Sequence, residues 1–151
     1  MTSMKETLPK RKRLPHERPA WVREDAVFFI TVCCEPRGKN QLCHEAMAAK
    51  LFETVAFRHD RGEWYAHLFL LMPDHVHGLI SFPNDESMRH VVSEWKESAA
   101  RRAGVHWQRD FFDHRLRNDE NYVEKAQYIR MNPVRKGLVT KQEDWPYVWT
   151  K

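Results

Sequence analysis

Long apolar runs are missing from this 151-residue chain. The longest, at 26–30 and 68–72, fall far short of the ~20 consecutive apolar residues that a membrane-spanning helix needs, so no membrane partner is expected. The charged N-terminus is not followed by the apolar segment of a secretory signal, and nothing there marks the chain for export. Cysteine is scarce. Cys33, Cys34 and Cys43 cannot all pair and two are adjacent, so a reduced cytoplasmic protein is the simplest expectation. Internal repeats are absent, and so is any linker long enough to separate a pair of domains. Net charge is missing from most of the chain as well: residues 25–151 hold 18 bases and 18 acids.

The whole formal charge of +4 therefore sits in residues 1–24, with seven bases and three acids. Lys10, Arg11, Lys12 and Arg13 form its densest run among several prolines, and the segment reads as an extended basic arm. Such an arm on a neutral body suits a polyanion, though solvated tails share the pattern. Hydrophobic residues at 42% and aromatics at 12% supply a core for 25–151, which excludes wholesale disorder.

Along that body the pattern alternates. Residues 26–34 are β-branched and aromatic, and 64–72 are apolar on both faces, as a central strand would be. A Pro73-Asp74 break separates the latter from a paired strand at 75–82. Apolar residues at helical spacing predict helices over 44–58 and 87–102, a strand follows at 105–112, and a third helix runs over 118–131 until Pro133 stops it. The order β-α-β-β-α-β followed by a helix predicts an α+β fold with a ferredoxin-like antiparallel sheet.

Three constellations carry chemistry. His75 and His77 are two apart on a strand and share a face, so two imidazoles can meet one divalent ion. The bland alternative has one ring hydrogen-bonded in the sheet and the other at the surface. Tyr128, Asn132 and Arg135 recur at helical spacing. A phenol can act as a covalent nucleophile once activated, an amide oxygen can ligate metal and a guanidinium can hold phosphate. Equally, they could be a helix aromatic, a helix cap and a solvated base. Tyr122 is a rival nucleophile, but six residues from Tyr128 it points about 120° away. Third, Lys96, Arg101, Arg102, Arg109, Arg115 and Arg117 are interleaved with Trp95, Trp107, Phe111 and Phe112, a mixture that suits single-stranded nucleic acid or the wet face of a packed helix and strand.

Four strings occur in order: Met72-Pro-Asp-His-Val-His77, Phe111-Phe-Asp-His-Arg-Leu-Arg117, Tyr128-Ile-Arg-Met-Asn-Pro-Val-Arg-Lys-Gly-Leu-Val139 and Trp145-Pro-Tyr147. With Arg11-Lys-Arg-Leu-Pro15 and Trp21, they closely resemble the REP-associated tyrosine transposases, single-tyrosine HUH enzymes of bacterial insertion sequences. The resemblance spans roughly 11–147. It implies that His75 and His77 are the metal-binding HUH pair, that Tyr128, on the added C-terminal helix, is the nucleophile, and that Asn132 is a third ligand where related enzymes often have Gln. It further implies Mg²⁺ or Mn²⁺ as cofactor and a 5′-phosphotyrosine intermediate in cleaving and rejoining single-stranded DNA at palindromic hairpins. The protein would act as a monomer or a homodimer. The basic arm, the Arg-rich segment and Arg135 would bind DNA.

Rivals are weaker. A histidine-triad hydrolase needs a third histidine where Leu79 stands. A zinc module from Cys33, Cys34, Cys43 and His44 is opposed by adjacent strand residues facing opposite ways. A domesticated, non-catalytic binder of repeat hairpins remains the alternative from another class.

Overall fold

The computed structural model describes residues 26–83, 87–116 and 119–151. The basic arm, with Lys10, Arg11, Lys12 and Arg13, lies outside the described residues, as does Arg117. Five strands form one antiparallel sheet: β1 (Phe28–Cys33), β2 (Tyr65–Met72), β3 (His75–Ser81), β4 (Phe112–Arg115) and β5 (Val148–Thr150), in the spatial order β4-β1-β3-β2-β5. The first four are arranged as in a ferredoxin-like sheet, and β5 extends it beyond β2. Helices α1 (Glu45–Asp60) and α2 (Met88–Ala103) connect β1 to β2 and β3 to β4. Helix α3 (Asp119–Arg130) and the single turn α4 (Asn132–Arg135) follow. Among the described residues no helix is long and apolar enough to cross a membrane.

Strand alternation sorts the core into two layers. Ile30, Val32, Phe69, Leu71, Val76 and Ile80 face α1 and α2, where they meet Leu51, Val55, Val92 and Trp95. Phe29, Leu68, Leu70, Met72 and Leu79 face the opposite way and meet Ile129 of α3. Burying a side chain of this size stabilises by about 1.5–3 kcal/mol, so covering both sheet faces is what makes apolar residues on both sides of β2 and β3 favourable. A register shift between Ala66 and Leu68 switches the alternation within β2: Ala66 packs on the α1 side and Leu68 on the α3 side. Gly78 sits where a Cβ would come within 3.2 Å of the Phe69 ring, and its lack of a side chain lets the two central strands carry that ring between them.

Three sequence expectations are corrected. No continuous strand runs over 105–112: Trp107 makes only an isolated bridge to Cys34, 108–111 turns toward α2, and regular pairing with β1 is confined to Phe112–Arg115. The cause is Lys96, predicted as a DNA contact. It is only 9% exposed, and its ammonium donates to the carbonyls of Gln108, Arg109 and Asp110 at 2.8, 2.8 and 3.3 Å. Three successive carbonyls turned toward one atom cannot serve a ladder, and an ammonium so engaged has nothing left for a phosphate. Burial pulls its pKa below the usual lysine range. Trp107 completes the tuck, stacking near Trp95 at 5.5 Å and donating its indole N–H to the Lys96 carbonyl at 3.0 Å.

Pro133 does not end the helical region. It lies in the first turn of α4, where its missing N–H costs nothing, and Asn132 opens that turn. Gly137, in the left-handed region at φ 75°, ends it. Finally, the expected helical appendix is followed by β5, which pairs Val148 with Leu70 and Thr150 with Leu68.

Replacing Lys96 by Ala is expected to destabilise the fold by about 2–3 kcal/mol, because inward-facing carbonyls lose a charged donor. Urea unfolding followed by Trp fluorescence measures it.

Candidate active site

The β2–β3 hairpin builds the first half of the site. Its turn, Pro73-Asp74, delivers His75 and His77 onto the sheet face that α3 covers, with ring centroids 4.7 Å apart. His77 lies opposite Thr31 in the β1–β3 register, and the Thr31 hydroxyl shares a 3.0 Å hydrogen bond with its Nδ1. His75 donates from Nδ1 to Asp74 Oδ1 at 2.9 Å. The other carboxylate oxygen of Asp74 accepts from Arg37 Nε at 2.9 Å and from the Gly38 N–H at 2.8 Å. Burial works against charge on Asp74, but these bonds from Arg37, Gly38 and His75 outweigh it and hold its carboxyl well below the usual carboxylate range.

Both rings are thereby fixed in place, and burial disfavours charge on each. Burial, then the charges of His75, Arg135 and Lys125, push the His77 pKa down to about 3. Burial also lowers that of His75, against the pull of Asp74. A carboxylate can only accept, so the His75 proton is on Nδ1 and the lone pair on Nε2. Among the described residues neither Nε2 takes a hydrogen bond. A neutral His75 with its Nε2 lone pair free, beside a neutral His77 engaged through Nδ1, matches the donor set of a metal-ligating histidine pair when the Thr31 hydroxyl accepts from His77. Both residues fit a divalent cation.

Helix α3 brings the second half. Ile129 is its buried anchor, with Tyr122 and Ala126 packed beside it on the same sheet face as the histidines. The Tyr122 ring turns inward, 5.5 Å from His67. Tyr128 turns outward and is 51% exposed. Its ring lies between two cations: the Arg135 guanidinium at 4.0 Å and the Lys125 ammonium at 5.0 Å. Arg135 also donates to the Tyr128 carbonyl at 2.8 Å, a contact across seven residues that survives the break at Met131. Lys125 in turn stands 4.8 Å over Phe29, and Phe29 lies 5.3 Å from the His77 ring. Asn132 is 7% exposed, and its side-chain amide bonds to no described residue, so an amide oxygen there has capacity to spare.

The remaining predicted cations are scattered. Arg101 and Arg102 are exposed in the last turn of α2, across the sheet from the histidines. Arg109 is exposed in the loop after α2, and Arg115 is exposed on the edge strand β4 with its guanidinium 6.0 Å over Phe28. Of the described basic residues singled out in the sequence, the structure brings Arg135 alone to Tyr128. Residues that the sequence reading passed over complete the site: Thr31, Arg37, Asp74, Phe29 and Lys125. Lys125 had a signal, its spacing of three from Tyr128 on one helix. Asp74 was adjacent to His75. Thr31 had none, since a cross-strand neighbour 46 residues away is set by register.

Residues 28–130 match the family described as Transposase IS200 like. A REP-associated tyrosine transposase of Escherichia coli (strain K12) is 30% identical over 123 residues, spanning 80% of this chain and 73% of its own length. A Haemophilus influenzae relative is 27% identical over 139 residues, spanning 80% of this chain and 77% of its own. A solved structure of a REP-associated tyrosine transposase bound to a REP hairpin shares the fold at a TM-score of 0.72 and 22% identity, covering 93% of this chain and 82% of that one.

Thr31→Val is expected to lower Mn²⁺ affinity about 10–100-fold, as loss of a hydrogen bond behind a ligand does, while leaving the melting temperature nearly unchanged. Titration calorimetry of the two proteins with Mn²⁺ reads this directly.

Proposed function

The chain belongs to the IS200-like transposases, in the group of the REP-associated tyrosine transposases, and on that footing we propose that it nicks and rejoins single-stranded hairpin DNA through Tyr128. The observation that carries the reading is the pairing of two neutral, pre-oriented imidazoles with an outward tyrosine on the same covered face of the sheet. Each alone is common. Together they provide a ligand pair and a nucleophile, which a DNA-binding role by itself does not require.

His75, His77 and the amide oxygen of Asn132 would hold Mg²⁺ or Mn²⁺, and imidazole nitrogens suit Mn²⁺ at least as well, because Mg²⁺ prefers oxygen. When bound, the ion supplies Lewis-acid polarisation of the scissile phosphate. Tyr128 Oη forms a bond to phosphorus while the bond from phosphorus to the 3′ oxygen breaks. The phenol proton passes to solvent, and the departing 3′ oxygen takes one up. The products are a 5′-phosphotyrosine and a 3′-hydroxyl. Attack by a 3′-hydroxyl reverses the step, and because the ester linkage is conserved, rejoining needs no ATP. Arg135 positions the nucleophile from both ends, stacking on its ring and tying down its carbonyl.

A DNA partner is supported by the hairpin held by the structural neighbour. In this chain the basic arm, Arg117 and the exposed Arg101, Arg102, Arg109 and Arg115 would meet phosphates outside the reaction centre. Binding through such contacts weakens steeply with salt.

Tyr128→Phe is expected to abolish the covalent adduct with a single-stranded hairpin oligonucleotide in Mn²⁺, read as a shifted band on a denaturing gel. Tyr122→Phe should keep it; the reverse pattern would assign the nucleophile to Tyr122. Converting both His75 and His77 to Ala should remove metal-dependent cleavage and spare hairpin affinity. An adduct from none of the proteins, with hairpin binding intact, would make the chain a binder.

Deleting residues 1–18 should weaken hairpin binding and flatten its dependence on salt, since the segment carries six of the chain's bases. Band-shift titrations at several salt concentrations measure both. Unchanged affinity would mark the arm as a solvated tail.

A further inference from the structure

Among the described residues Arg37, Lys125, Arg135 and Lys136 stand around the histidines and Tyr128, and they differ in what already holds them. Arg37 is spent on Asp74. Arg135 is exposed, with one N–H on the Tyr128 carbonyl and its guanidinium over the Tyr128 ring. Lys136 follows α4 on the His75 side. Lys125 differs. It is half-buried, it stands 5.0 Å from the Tyr128 ring and 4.8 Å from the Phe29 ring, and among the described residues no carboxylate lies within ion-pairing distance of it.

Rings attract an ammonium through their faces but accept none of its three N–H bonds in the way that oxygen does. Its three N–H donors are therefore open to an incoming anion. Its place decides which anion. Lys125 stands over both Phe29, whose ring lies 5.3 Å from that of His77, and Tyr128, and its charge is felt at His77. An ammonium near both a metal-ligand pair and a nucleophile faces the position where a phosphodiester must sit for the two to act together. Phosphoryl transfer spreads negative charge over the nonbridging oxygens, and donors held in place stabilise that charge without reorganisation.

We infer that Lys125 is a catalytic residue that grips a nonbridging oxygen of the scissile phosphate. The inference rests on the cleavage reading given above. Lys125 neither gains nor loses a proton in the step; it stays an ammonium while the bond from Tyr128 Oη to phosphorus forms and the bond to the 3′ oxygen breaks. Phe29 is then a positioning residue, holding the lysine stem against the sheet.

The test uses the full chain and a single-stranded hairpin oligonucleotide with Mn²⁺, comparing K125M and K125R with the wild type. K125M keeps the apolar stem over the two rings and removes the charge. It is expected to lower the single-turnover rate of adduct formation about 100-fold, the usual effect of deleting one preorganised donor, with hairpin Kd within about twofold and an unchanged melting temperature. K125R restores the charge and should recover most of the rate. A wild-type rate in K125M overturns the inference, as does a loss expressed wholly in Kd, or a K125R as slow as K125M. If the wild type forms no adduct, the cleavage reading itself fails, and that result is distinct from a normal adduct in K125M.

Discussion

Strand β3 runs through the middle of the sheet with a neighbour on each side and a helical layer over each face, and its residues must satisfy both layers at once. Val76 and Ile80 do so on the α1 and α2 side. His77 and Leu79 do so on the α3 side. Putting an imidazole in that position is costly if it is charged and inexpensive if it is neutral and hydrogen-bonded. The fold meets the condition with Thr31 for His77 and Asp74 for His75. The demands of a buried central strand and the demands of a metal ligand are thus one demand: a neutral ring, fixed in rotation, with one nitrogen left over.

Helix α3 depends on this face and also hides it. Its attachment to the sheet runs through Ile129 with Tyr122 and Ala126 beside it. Once Ile129 is seated, the helical period decides the two tyrosines: Tyr122 goes in against His67 and Tyr128 goes out between Lys125 and Arg135. Pro133 belongs to the same arrangement. It interrupts the backbone ladder without turning the chain away, so that Asn132 is buried beneath the turn and Arg135 still reaches back over Tyr128.

Charge is where reading along the chain misleads most. Lys96 and Arg135 look alike as bases amid aromatics, yet one lies inside, tied to three carbonyls, and the other lies over the Tyr128 ring. Arg101 and Arg102, near Lys96 in sequence, end up across the sheet from the histidines. Lys125 stands apart from every basic cluster and reaches the centre. Periodicity orders residues within an element, but which face an element turns to its neighbour is fixed by packing.

The sequence by itself determined the α+β alternation, the first three strands and the helices over 45–60, 88–103 and 119–130 to within a residue or two, because apolar periods of 2 and 3.6 express local geometry. The same local rules put His75 beside His77 and set Tyr128 a helical turn from Asn132. Tertiary structure alone decided that 105–111 is no continuous strand, that Pro133 opens a turn, that 148–150 forms a fifth strand, and that Thr31, Arg37, Phe29 and Lys125 join the site. These outcomes rest on contacts between residues far apart in the chain, chosen by which buried groups need a partner, and no local period encodes that choice.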